Sequence, residues 1–246
     1  IMNKFYIKNR KILKVGGAGF IGHNLALKLK KLGAKVSVLD GLIVNNLYSV
    51  KKNEINLPFP KLALKILNQR FQLLKKNKIP VIKVDARDYF KLSNAINYIK
   101  PQVIIHLAAV SHANRSNKDP HSTFDHSLRT LENTLDNAKS NIEHFVFLSS
   151  SMVYGNFKKK EVKENDECNP IGIYGALKFS AEKIIKAYGQ TFDLPYTIIR
   201  PSALYGERCI SRRVGQIFIE SALNKSKILI NGDGEEKLDF TYIEDL

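Results

Sequence analysis

Cysteine is scarce in this chain: two in 246 residues, Cys168 and Cys209. Neither lies in a CxxC pair or a histidine-rich cluster, so neither a disulfide framework nor a metal centre is expected. Long apolar runs are also missing. No stretch approaches the roughly 18–20 residues that a membrane helix needs, and no membrane partner is expected. The N-terminal segment "IMNKFYIKNRKILKV" has no apolar signal-peptide core, which predicts a cytoplasmic protein. Acidic side chains are few, 23 against 39 Lys and Arg, for a formal net charge of +16. Apart from "FKKKEVKEN" and "LLKKNKIP" the basic residues are scattered. A lysine-rich surface explains that charge better than a nucleic-acid patch, and the same excess would steer an anionic substrate inward. No internal repeat or low-complexity tract is visible.

What is present is an alternation. Hydrophobic residues make up 44% of the chain, and short apolar runs alternate with segments of helical period. The runs "KILKV" (11–15), "KVSVLD" (35–40), "VIKVD" (81–85), "QVIIHLAA" (102–109), "HFVFLSS" (144–150) and "YTIIRP" (196–201) read as strands. Between them, Ile21, Leu25, Leu29 and Leu32 share a helix face. So do Phe124, Leu128, Leu131, Leu135 and Ala138, and later Ala181, Ile184, Ile185 and Tyr188. Nearly continuous apolar strands separated by helices indicate a parallel sheet covered on both faces.

The stretch from about 41 to 80 is long for a strand connection. Ala63, Ile66, Leu67, Phe71 and Leu74 within it predict an added amphipathic helix, packed on the sheet's edge. After Tyr205 a helix near 212–224, a short strand "KILI" and a loop "NGDGEE" are expected. The chain then stops at "FTYIEDL" without a terminal signal and reads as cut.

The stretch "KVGGAGFIGHNLALKL" (14–29) places Gly16, Gly19 and Gly22 as G-x-x-G-x-x-G, after a strand and at the opening of a helix. Such glycines permit a tight turn, close approach of a pyrophosphate and close helix–strand packing. The helix N-terminus adds unpaired N–H groups for the phosphates. Asp40 ends the second strand, where a carboxylate accepts hydrogen bonds from adenosine-ribose hydroxyls and repels a 2′-phosphate. NAD is therefore expected in preference to NADP. Tyr174 and Lys178 stand at i and i+4 of a predicted helix and so share a face. An ammonium beside a phenol stabilises the phenolate, which makes Tyr174 a candidate proton acceptor and Lys178 its support. His106, at the end of a buried strand, reads as a core histidine. His112, Asn114 and Arg115 follow that strand end, where they could face substrate or serve only as loop polarity.

Several ordered stretches now coincide with one family. "GGAGFIG", "DARD" (85–88), "HLAA" (106–109), "SSSMVYG" (149–155), "YGALK" (174–178), "RPSALYG" (200–206) and "GDGEEKLDFTYIEDL" (232–246) resemble the motifs of the extended short-chain dehydrogenase/reductases. The likeness is to their NAD-dependent nucleotide-sugar epimerase/dehydratase group, and it runs from about Lys11 to the last residue. The resemblance implies a Rossmann-type doubly wound parallel sheet, with an NAD-binding domain at 1–204 and the start of a substrate-binding domain at 205–246.

It implies Ser150, Tyr174 and Lys178 as catalytic residues. Gly16, Gly17, Gly19, Phe20, Ile21, Gly22, Asp40, Asp85, Ala86, Leu107, Ala108, Ala109, Tyr174, Lys178, Arg200 and Pro201 are implied around NAD, with Asp85 near the adenine amino group. A nucleotide-diphosphate sugar as substrate and a homodimer paired through two long helices also follow from the likeness. Family dehydratases often carry Asp-Glu after the catalytic Thr; here Ser151 and Met152 follow Ser150. An Arg that many members place before "DF" is Leu238, beside Lys237. The Asn before "VYG" is Ala203, and a helix position that is often Asn is Ser127. The expected reaction is C4 epimerisation through a 4-keto sugar. The alternatives are a nucleotide-sugar 4-dehydrogenase or ketoreductase, or a non-catalytic dinucleotide-binding sensor or RNA-associated protein, against which the intact Ser150–Tyr174–Lys178 set argues.

Overall fold

The computed structural model describes residues 7–52, 57–110, 113–157, 159–230, 232–235 and 237–246, the side chains at 113–115 excepted. Six strands, β1 (Lys11–Val15), β2 (Lys35–Asp40), β3 (Val81–Lys83), β4 (Val103–His106), β5 (His144–Leu148) and β6 (Tyr196–Ile199), form one sheet. Their order is β3-β2-β1-β4-β5-β6 and every pairing is parallel. This is the doubly wound Rossmann arrangement. The strand order reverses between β1 and β4, which opens a crevice at the strands' carboxyl ends.

Alternation along each strand feeds two cores. Leu13, Val15, Leu39, Ile104, Phe145 and Phe147 face one side of the sheet. Leu92 and Ile96 of α4 (Tyr89–Ile99), Leu131 and Leu135 of α7 (Thr130–Ala138), and Ala181 and Ile185 of α8 (Gly172–Phe192) cover them. Ile12, Val36, Val38, Ile105 and Leu148 face the other side, under Ala26 and Leu29 of α1 (Phe20–Lys31) and Leu74 of α3 (Pro60–Lys76). Helix α1 carries Lys28, Lys30 and Lys31 in its last turn, where they complement the helix dipole. Asp88 caps α4 by accepting a hydrogen bond from the Lys91 amide at 3.1 Å.

The expected amphipathic helix in 41–80 is α3, preceded by the short α2 (Leu47–Lys51). Ala63 and Leu67 of α3 and Val50 of α2 pack with Ile210 from the C-terminal part of the chain. Phe71 and Leu74 join the sheet-side core. The insertion therefore bridges the edge of the sheet and the segment after β7 (Ala203–Tyr205).

Three local expectations needed correction. The helix expected to run unbroken through Phe124 consists of α6 (Pro120–Phe124), a π-helical turn at Asp125–Arg129, and α7. The wide turn rotates the two halves relative to each other, so Leu131 and Leu135 are fully buried while Phe124 is 57% exposed. "KILI" (227–230) is not a strand, and Ile228, Leu229 and Ile230 are exposed. Among the described residues no strand pairs with it. The pair that does form there, β7 with β8 (Phe240–Tyr242), is a short parallel ladder absent from the sequence reading. The strands expected to reach 85, 109, 150 and 201 stop at 83, 106, 148 and 199; of the residues released, 84–85 and 107–109 line the crevice and 149–150 and 200–201 do not.

Candidate functional site

The glycine turn has two kinds of glycine. At Gly16 (φ +78°) an added Cβ would stand 2.6 Å from the Ala108 amide nitrogen, and at Gly22 it would stand 2.6 Å from the Gly17 Cα. These two are demanded by protein packing alone. Gly19 is different: the nearest atom to a Cβ there is the Gly16 carbonyl oxygen at 3.5 Å. Gly19 precedes α1, provides no side-chain cap and lines the cleft. Packing gives no reason for glycine at 19, whereas close approach of a phosphate to the helix N-terminus does.

The cleft at the reversal point is lined by Gly16, Gly19, Phe20, Ile21 and Gly22, by Asp40, by Asp85 and Ala86, and by Leu107, Ala108 and Ala109. These are eleven of the positions expected around the cofactor, brought together from the ends of β1, β2, β3 and β4. Gly17 lies behind the turn, where a Cβ would meet the Lys14 side chain. Asp40 accepts from the Ala18 amide at 2.9 Å and the Leu42 amide at 2.8 Å, one on each oxygen. Burial raises its pKa above the ordinary carboxylate value, and these two bonds pull back. Burial also works against the Asp85 carboxylate. There the bonds from Arg87 (Nη2 to Oδ2 2.7 Å) prevail and hold the pKa below its ordinary value. Arg87 in turn pairs with Asp125 of the π-helical turn at 2.8 Å. Residues with this chemistry fit NAD: an open glycine turn at a helix N-terminus for the pyrophosphate, a carboxylate for ribose hydroxyls and a second carboxylate beside the adenine end.

The three expected catalytic residues lie beyond the walls of that cleft, around the carboxyl end of β5. Ser150 caps a 3₁₀ turn, Ser151–Tyr154, by accepting from the Met152 amide at 3.2 Å. Tyr174, in the first turn of α8, lies near Ser150, close enough for the serine to oppose the rise in the phenol's pKa. Lys178, one turn later, donates to the Leu148 carbonyl at 2.6 Å and lies 4.8 Å over the Phe147 ring.

The electrostatics differ from the expectation. Burial raises the Tyr174 phenol above its usual value, opposed by Ser150 and by the charge of Arg213. Lys178 is itself lowered to about 8 by burial, with the Glu182 charge opposing. The lysine is therefore tied to the strand end instead of lowering the phenol directly.

Arg200 and Pro201 are placed away from the cleft wall. Arg200 holds Glu182 through Nε–Oε1 (2.9 Å) and Nη2–Oε2 (2.6 Å), and donates to the Tyr154 hydroxyl at 2.8 Å and the Glu164 carbonyl at 3.0 Å. His106 is fully buried between Phe145 and Phe147, ring centroids 6.2 and 6.1 Å away, and neither ring nitrogen is hydrogen-bonded. His112 and the side chains of Asn114 and Arg115 fall outside the described residues.

The sequence reading missed Arg70, His126, Thr130, Cys209, Ile210, Ser211 and Arg213, which also line the cleft. A signal existed for one of them. Arg70 stands three residues after Leu67 and four before Leu74, a charge set into an apolar helix stripe.

The chain matches the NAD dependent epimerase/dehydratase family over residues 12–246. A putative UDP-glucose 4-epimerase of Methanocaldococcus jannaschii is 33% identical over 240 residues, which is 96% of this chain and 70% of that protein. A dTDP-D-glucose 4,6-dehydratase of Dictyostelium discoideum is 30% identical, over 99% of this chain and 55% of that protein. The solved structure of UDP-glucuronic acid 4-epimerase from Bacillus cereus, in complex with UDP-glucuronic acid and NAD, superposes with a TM-score of 0.77. It is 29% identical, covering 95% of this chain and 69% of that one. With its reversed-order parallel sheet, open glycine turn and paired carboxylates, the chain belongs to the NAD dependent epimerase/dehydratase family of extended short-chain dehydrogenase/reductases, and its cofactor is NAD.

Proposed function

We propose that this chain catalyses reversible oxidation at C4 of a nucleotide-diphosphate sugar and inverts that carbon, as a nucleotide-sugar 4-epimerase. The observation that carries the reading is the gathering of Ser150, Tyr174 and Lys178 at the end of β5, with Lys178 one helical turn after Tyr174 and tied to the Leu148 carbonyl. The names of its relatives, UDP-glucose and UDP-glucuronic acid 4-epimerases, support a UDP-sugar.

NAD, when bound, supplies the hydride acceptor and donor. Tyr174 takes the proton from the C4 hydroxyl as the carbon is oxidised, and returns it when the 4-keto sugar is reduced from its other face. Ser150 hydrogen-bonds the reacting oxygen and keeps the phenol oriented. Lys178, with a pKa of about 8, remains mostly cationic at neutral pH, holds the end of β5 through the Leu148 carbonyl and would hold the nicotinamide ribose, while the Arg213 charge favours the phenolate. Ser151 and Met152 supply neither an acid for a leaving hydroxyl nor a base for a C5 proton, so this local pair provides no route to 4,6-dehydration. A homodimer paired through α7 and α8 belongs to the same reading. The shallow groove of Phe124, Leu128 and Ile184 would lie in that contact.

The test incubates the full-length protein with a panel of nucleotide sugars and weighs the products. Unchanged mass with inverted C4 is expected. A product lighter by one water overturns the reading. Loss of two hydrogens with stoichiometric NADH replaces it with a 4-dehydrogenase.

A further inference from the structure

Arg70 is 1% exposed, and its guanidinium is only partly hydrogen-bonded within the protein. Nε donates to the Arg208 carbonyl at 3.0 Å, and Nη2 donates to the same oxygen. Of the five N–H groups an arginine carries, these bonds use two. Nη1 makes no hydrogen bond among the described residues, and Arg70 lines the cofactor cleft together with Asp40 and Gly41. Nη1 is not sealed off: it reaches the cleft, where an acceptor can complete it.

Structural anchoring does not require so many donors. The Arg208 carbonyl needs one. Arg208 itself turns away, donating to His23 Nε2 at 2.9 Å and Asn24 Oδ1 at 2.8 Å on α1. The contact thus ties α3, the 206–211 segment and the phosphate-facing helix together at the adenosine end of the cleft. Asp40 lies within the same wall, close enough that its charge and that of Arg70 act on each other. Both Asp40 oxygens keep lone pairs after their backbone bonds.

We propose that Arg70, supplied by the inserted helix, is a cofactor-binding residue at the adenosine ribose, and that Asp40 and Arg70 together read its 2′ position. Asp40 accepts from the ribose hydroxyls and repels a 2′-phosphate. Arg70 donates from Nη1 to a ribose oxygen, and it is the cation a 2′-phosphate would engage once Asp40 no longer opposes it. Preference for NAD then depends on the carboxylate holding the guanidinium in check. The inference rests on NAD as cofactor and stands whichever sugar reaction the protein performs.

The test is equilibrium binding of NAD and NADP by calorimetry to the full-length protein and to Asp40→Ser, Arg70→Met and the double variant, each checked for folding by circular dichroism. Asp40→Ser is expected to shift the NADP-to-NAD affinity ratio toward NADP by about tenfold or more, the scale of about 1.4 kcal/mol. The double variant is expected to lose that gain, and Arg70→Met alone to weaken NAD severalfold. If Arg70→Met does not fold, Arg70→Lys in the Asp40→Ser background replaces it. Lysine keeps the charge without the planar fork, so a partial loss of the NADP gain is expected. An Asp40→Ser variant that gains no NADP affinity overturns the proposal. So does a gain that persists undiminished when Arg70 is replaced.

Discussion

Glu182 and Arg200 form a two-pronged ion pair in which the carboxylate side chain is 1% exposed. The same Glu182 Oε1 also accepts from the Ser149 hydroxyl at 2.5 Å. One buried carboxylate thus joins α8 to the carboxyl ends of β5 and β6. Its neighbours in the chain of contacts are two of the candidate catalytic residues: Ser150 follows Ser149, and Lys178 lies one turn before Glu182. The loop ends that hold the candidate active site are fixed by this pair.

Replacing Glu182 with Gln keeps the shape and removes the charge, leaving the half-buried Arg200 without its counter-charge. The expected loss of stability is about 3–5 kcal/mol, the scale for breaking a buried pair from one side. Urea denaturation measures it. A loss below about 1 kcal/mol would show that the pair does not hold these strand ends.

Tyr174→Phe removes the phenol oxygen and little else. NAD binding by calorimetry should stay within about twofold, and turnover should fall by about 10²–10⁴, the usual contribution of a positioned acid or base. Undiminished turnover would remove Tyr174 from the mechanism.

Lys14 is fully buried on β1, and its Nζ has no hydrogen-bond partner. Its register neighbours are Val38 and Ile105. Burial lowers its pKa well below the ordinary lysine value. Lys14→Met should stabilise the fold at neutral pH by about 1–3 kcal/mol, the cost of a buried polar group left unsatisfied. The sign of the pH effect follows. The unfolded chain binds more protons at this lysine between its lowered folded value and 10.5, so the wild-type fold gains stability as pH rises through that window. Melting temperatures from pH 7 to 10 should therefore converge between wild type and Lys14→Met, and a difference independent of pH would contradict this account.

His23 and His106 are both lowered to about 3 by burial, from an ordinary 6.5. His23 is held neutral by its contacts, since Nε2 accepts from Arg208 while Nδ1 donates to the Gly19 carbonyl at 2.9 Å. Each folded-state pKa lies below its unfolded value, so the unfolded chain takes up protons first. Stability at these sites is complete above about pH 6.5 and falls as pH drops toward 3, by up to about 1.4 kcal/mol per pH unit for each histidine. Denaturation midpoints between pH 7 and 4 should show a shallower decline in His106→Leu. An unchanged decline would place the acid sensitivity elsewhere.

The sheet was legible from the chain alone because buried parallel strands need continuous apolar runs, and 11–15 and 35–40 appear with the bounds expected. That the glycine turn and Asp40 would face one cleft was legible for a related reason, since a tight turn and the carboxylate that follows it depend on local spacing along one strand–helix–strand unit. What the spacing could not reveal are contacts between distant segments. Arg70 reaches the cleft because α3 packs on Ile210, and Arg213 acts on Tyr174 from a helix start 39 residues further along the chain. The π-helical turn that exposes Phe124, the failure of "KILI" to pair, and the attachment of Lys178 to the Leu148 carbonyl are likewise decided by which surface each segment meets. Short-range pattern determines where an element forms and which face is apolar. Which buried charge meets which partner depends on the packing of whole elements, and only the tertiary structure settles that.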